Sequence, residues 1–155
     1  MSNQPQRNTP SKSAQSRSAR LMAVQTLYGV MHTGNDMKEA VADTVANSDH
    51  IEIDREKLVS PDKTLFQKIL FGYNARQGDV EDIIKASLTT SKSGETETLL
   101  KAILCCGVYE LLAHTNIDAP IIINDYLDVA HGFYDEGQVK LINGVLDKAG
   151  KALRS

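Results

Sequence analysis

Between residues 95 and 114 the chain carries Leu99, Leu100, Ile103, Leu104, Val108, Leu111 and Leu112 at helical spacing, covering most of a helix's circumference. A helix that is apolar nearly all round must be wrapped by other elements, so this segment belongs at the centre of the fold. The segments around it are apolar on one face only. Leu21, Val24, Leu27, Tyr28 and Met31 form a first helix that starts near Ser16 and stops at Gly34. Asp36 can cap a second helix bearing Met37, Val41 and Val45, and Ile51 to Val59 reads as a loop. Ser60 and Pro61, with Asp62 in the first turn, start a third helix with Leu65, Phe66, Ile69 and Leu70. Asp79 can cap a fourth carrying Val80, Ile83, Ile84 and Leu88. Asp118 stands where it can cap a helix beginning near Pro120, and a last one runs from about Glu136 through Val139, Ile142, Leu146 and Ala149.

Only the β-branched triplet Ile121 to Ile123 favours a strand, and a lone strand has no partner. The expected class is therefore all-α, a single-domain bundle of about seven helices. Residues 1–15 are rich in Ser, Asn, Gln and Pro, with too little apolar surface to offset the entropy of ordering them. They are expected to form a disordered basic arm ahead of a folded domain over 16–155. The arm and the helix start contain Arg7, Lys12, Arg17 and Arg20 with no acid, so residues 1–20 carry +4 while the whole chain carries −3. Macrodipoles disfavour cations at a helix N-terminus, so Arg17 and Arg20, three apart on one face, point either to a polyanionic partner or to a solubilising tail. Lys140 and Lys148 share a stripe of the last helix.

Catalytic machinery is not apparent. Histidines 32, 50, 114 and 131 stand at no ligand spacing, and neither a phosphate-cradling glycine loop nor a nucleophile elbow is present. Asp125 and Asp128 read as a solvated pair on one helix face. Cys105 and Cys106 are adjacent within the central helix and read as core thiols. No apolar run is long enough for a membrane span and no signal-peptide core occurs, which sets a cytoplasmic expectation. The interior Asn143-Gly144 pair is read mainly as structural, Gly144 for close helix packing and Asn143 for a buried hydrogen bond, with direct contact to a partner as the alternative. Tyr28 and Tyr109 are read as core residues.

The C-terminal third contains, in order, Tyr109-Glu110-Leu111-Leu112, Pro120, Ile123-Asn124, Asp128-Val129-Ala130 and Ile142-Asn143-Gly144-Val145-Leu146-Asp147-Lys148. With Arg17-Ser18-Ala19-Arg20 and Ala23-Val24-Gln25-Thr26-Leu27-Tyr28 near the start, this spaced set resembles the NusB family. The resemblance implies a non-enzymatic, cofactor-free transcription antitermination factor. Such a factor binds boxA-type single-stranded RNA of ribosomal RNA transcripts together with NusE, a small-subunit ribosomal protein, and joins the elongation complex with RNA polymerase. By position it implies phosphate contacts at Arg17 and Arg20, helped by Lys12 and Arg7, further contacts at Lys140 and Leu141, and contributions from Tyr28 and Asn143. Ser16 and Ser18 stand where the family often has arginine, and Leu141 where it has an aromatic. A lost base stack costs roughly 1–3 kcal/mol, which favours partner-dependent affinity. A protein-only scaffold or homodimer of the same fold is the alternative function. The same domain also occurs fused ahead of ribosomal RNA methyltransferases, but these residues leave no room for a cofactor-binding domain.

Overall fold

A computed structural model describes residues 11–48, 52–53, 56–57, 60–88 and 97–154. Among the described residues seven α-helices follow one another: α1 Lys12–Thr33, α2 Met37–Asn47, α3 Lys63–Ala75, α4 Gln77–Ser87, α5 Thr98–Ala113, α6 Ala119–His131 and α7 Glu136–Leu153. In the connection read as a loop, β1 (Glu52–Ile53) and β2 (Glu56–Lys57) form a two-residue antiparallel pair, Glu52 opposite Lys57. The all-α class is unaffected.

The most apolar segment occupies the middle, as its sequence required. Among the described residues α5 packs against α1, α3, α4, α6 and α7, leaving only α2 out of reach. Residues Ala102 to Glu110 are all buried. Close approach at two points depends on glycine. A Cβ on Gly72 of α3 would lie 1.8 Å from the Tyr109 hydroxyl, and one on Gly107 would lie 2.8 Å from Leu146 Cδ2 of α7. Cys105 and Cys106 are fully buried, and burial pushes the Cys105 thiol up to about 11 and that of Cys106 well above its ordinary value. Both are therefore neutral core thiols.

Local chemistry explains most helix limits and corrects several expected ones. Helix α1 begins at Lys12, because the Ser11 hydroxyl accepts a hydrogen bond from Ala14 N at 3.1 Å. The backbone N–H of Asp62 also donates to Gln15 O at 3.1 Å. Residues 12–15, assigned to the arm, are thus helical, while the rest of the arm up to residue 10 lies outside the described residues. Gly34 ends α1 in the left-handed region at φ 75. Asp62, rather than Ser60, caps α3 by accepting from Leu65 N at 3.0 Å. Asp79 lies in the first turn of α4 and meets Arg76 instead of capping. Asp36 and Asp118 occupy cap positions without a side-chain cap bond, whereas Asp135 accepts from Gln138 N at 3.2 Å. The Ile121 to Ile123 triplet is helical, with Ile122 fully buried.

At the other end of α7, Arg154 reaches back to the C-terminus of α5. Its guanidinium donates to the carbonyls of Leu111 at 3.0 Å, Glu110 at 3.3 Å and His114 at 2.8 Å, and to that of Ile117. One side chain thereby ties the end of α7 to four carbonyls at and just beyond the C-terminus of α5, adding a donor where the helix ladder runs out.

The Asn143-Gly144 pair overturns its structural reading. Both residues are exposed, and nothing lies within 4 Å of a Cβ placed on Gly144. Packing does not require the glycine, so Gly144→Ala is expected to stabilise the fold by about 1 kcal/mol through helix propensity. A chemical-denaturation midpoint at or below that of the native chain would contradict this.

Candidate nucleic-acid interface

The N-terminal half of α1 places Arg17 and Arg20 on one face, as their spacing implied, but against carboxylates from distant parts of the chain. Arg20 is 1% exposed. Its Nε and Nη2 donate to the two oxygens of Glu110 on α5 at 2.7 and 2.9 Å, and Nη1 donates to Asp125 Oδ2 on α6 at 2.8 Å. Tyr126 Oη donates to Glu110 Oε2 at 2.6 Å, and His114 Nδ1 lies 2.9 Å from Glu110 Oε1. The assignment of Arg20 to phosphate binding is therefore corrected. Its donors are used inside the protein, and withdrawing them would strand two carboxylates in the core.

Electrostatics follow from that burial. Desolvation alone would raise the Glu110 carboxyl, but hydrogen bonds from His114, Arg20 and Tyr126 outweigh it and hold the group below its ordinary value. Burial and the adjacent Glu110 charge push the Tyr126 phenol well upward, so it stays a donor. The expected solvated pair on α6 divides in the same way: the Asp125 side chain is 10% exposed and serves as a buried counter-ion, whereas that of Asp128 is 56% exposed.

Arg17 keeps a surface position. Its side chain is 54% exposed, with Nε 3.5 Å from Asp125 Oδ1 and 3.4 Å from Asp128 Oδ2. Lys12 is exposed in the first turn of α1, and Arg7 lies outside the described residues. The remaining candidates gather at the opposite end of the bundle. Helix α1 runs antiparallel to α5: Arg20 meets Glu110 near the end of α5, while Tyr28, further along α1, lies close enough to Tyr134 just ahead of α7 to act on it electrostatically. Helices α5 and α7 run parallel, with Gly107 beside Leu146 and Gly150 beside Leu111. Tyr28 thus lies about 16 Å along α1 from Arg17 at 1.5 Å per residue, toward the end where α7 begins.

Tyr28 is 37% exposed and stacks on His32, with ring centroids 5.6 Å apart and planes 20° apart, so the core reading of Tyr28 is corrected. Tyr109 is buried as expected. Exposed Lys140 and Leu141, the latter 39% exposed, stand in the first half of α7. Phe133, 47% exposed between α6 and α7, is an aromatic the sequence reading missed. The four-residue spacing of Tyr28 and His32 was a legible signal for their pairing. Nothing local marked Phe133, because its exposure depends on how α6 meets α7.

The arrangement offers cations at one end of α1 and open aromatic and apolar surface at the other. That combination suits a flexible polyanion with unstacked bases better than a rigid compact ligand. Among the described residues no group of three metal-ligating side chains occurs, and no helix is long and apolar enough to cross a membrane.

Comparison with known proteins covers nearly the whole chain. Residues 17–151 match the model of the NusB family. The transcription antitermination protein NusB of Allorhizobium ampelinum is 33% identical over 147 residues, covering 94% of this chain and 92% of the relative. That of Rhizobium rhizogenes is 32% identical over 156 residues, covering 99% and 97%. Two solved structures share the fold. T. maritima NusB aligns at a TM-score of 0.69 with 19% identity, over 87% of this chain and 89% of its own. A complex of antitermination factors NusB and NusE with double-stranded RNA aligns at 0.71 with 22% identity, over 88% and 96%.

Proposed function

The chain belongs to the NusB family, and from that premise we propose that it is a transcription antitermination factor. In this reading it acts in the cytoplasm as a binding module without catalysis. It holds boxA-type single-stranded RNA of ribosomal RNA transcripts together with a NusE-type ribosomal protein, and the assembly acts on elongating RNA polymerase. The observation that carries the proposal is end-to-end similarity to relatives named as antitermination proteins, covering more than nine-tenths of both chains.

Within this reading Lys12, Arg17 and Lys140, with Arg7 ahead of them, supply phosphate contacts. Tyr28 with His32 on α1, and Leu141 on α7, offer surfaces for unstacked bases, and exposed Asn143 supplies a polar contact on α7. Phosphate contacts position such an RNA, and base contacts discriminate between sequences. With Arg20 withdrawn into the core, Arg7, Lys12, Arg17 and Lys140 leave about four phosphate contacts. A fluorescence-anisotropy titration of a boxA-type RNA across a salt series should then give a log–log slope of about −3, at ~0.7 counterions released per contact. Addition of a NusE-type protein should tighten binding. Absence of RNA binding even with that partner would leave the protein-only scaffold, a reading that Arg20's burial and Arg17's pairing with carboxylates would then favour.

A further inference from the structure

Five charged groups meet where α1 crosses α5 and α6: Arg17 and Arg20 against Glu110, Asp125 and Asp128. Carboxylates outnumber guanidinium groups by one, so the surface that the sequence marked as basic is locally balanced or slightly acidic. The three acids have different roles. Glu110 and Asp125 are buried and fixed by Arg20 at 2.7 and 2.8 Å. Asp128 is 56% exposed and pairs with Arg17 at 3.4 Å.

We propose that Asp128 is an internal competitor for Arg17, holding this guanidinium against the protein until an RNA phosphate displaces it, and so sets the affinity threshold of the interface. The proposal rests on the RNA-binding reading above and deepens it. A carboxylate and a phosphate present the same charge and the same oxygen acceptors to a guanidinium. The Arg17–Asp128 pair is solvated, at 3.4 Å, and such pairs contribute little and open readily. Asp125 has the opposite effect. It meets the same Arg17 Nε at 3.5 Å, but locked by Arg20 it stays in place and holds the guanidinium at the α1–α6 seam, which limits the search a phosphate must make. A phosphate arriving at Arg17 therefore meets a positioned cation and, beside it, an exposed like charge. Neutralising Asp128 removes both the competition and the repulsion at contact range, without disturbing the buried cluster.

The test is a fluorescence-anisotropy titration of a labelled single-stranded boxA-type RNA with the full-length native chain, Asp128→Asn, Arg17→Gln and the double variant. Asp128→Asn is expected to bind about three- to tenfold more tightly, with a salt slope close to that of the native chain, because Arg17 meets a phosphate in both complexes. In the Arg17→Gln background the same substitution should yield no gain. Equal affinities of Asp128→Asn and the native chain would overturn the competition. A gain of the same size without Arg17 would overturn it as well, because it would mark general repulsion. If none of the four proteins binds RNA, the RNA-binding reading itself falls, and this proposal with it.

Discussion

Arg20→Ala is expected to cost about 3–5 kcal/mol of folding stability, because it leaves Glu110 and Asp125 buried without their cation. Arg17→Ala, three residues away on the same helix face, is expected to cost under about 1 kcal/mol, since its ion pairs are solvated. Urea unfolding of both variants at neutral pH reads the difference, and similar midpoints would refute the division into a structural and a surface arginine. The pH dependence supplies a second readout. Glu110 titrates lower folded than unfolded, so its contribution is complete above its ordinary value of 4.5 and is lost as pH falls through the depressed folded value. Acid should therefore weaken the native chain. In Arg20→Ala burial acts on Glu110 with less opposition, raising its folded value, and this part of the acid sensitivity should shrink or reverse. An acid profile parallel to that of the native chain would show that Arg20 does not hold Glu110 ionised.

Gly72→Ala is the second substitution with a large expected effect, a loss of about 1–3 kcal/mol from overpacking. The added Cβ would stand 1.8 Å from Oη and 2.2 Å from Cζ of Tyr109, so a rigid ring rather than a flexible tip must move. That ring is also held edge-on against His114, with centroids 5.2 Å apart. Helix propensity favours alanine by about 1 kcal/mol, which offsets only part of the clash. Thermal unfolding of Gly72→Ala, Tyr109→Leu and the double variant separates the terms. The double variant should lose less than the two single losses added together, because Tyr109→Leu removes the ring that the methyl meets. Strict additivity would mean that Tyr109 swings aside at no cost. The contrast with Gly144→Ala is instructive: two glycines within helices carry opposite expected signs, and only the neighbour across the helix interface distinguishes them.

The legible and illegible parts of this protein divide along one physical line. Helical periodicity, the all-round apolar character of α5, the stop at Gly34 and the start of α7 near Glu136 depend on residues within one or two turns of each other. By itself the sequence determined an all-α bundle, its central helix and, through a spaced set of short motifs, its family. It also marked Arg17 and Lys140 as charged candidates, and the structure leaves them at the surface. The role of Arg20 could not be read in this way. Its acidic partners are 90 and 105 positions distant, so a window over α1 shows two arginines without an acid. Likewise the exposure of Gly144 and Phe133, the burial of Asp125 and the pairing of Arg17 with Asp128 depend on which helix faces meet. Periodicity states that a helix has an inner face, but not what lies across from it. The tertiary structure decided those pairings, because ion pairing and packing act between side chains brought within a few ångströms irrespective of their separation along the chain.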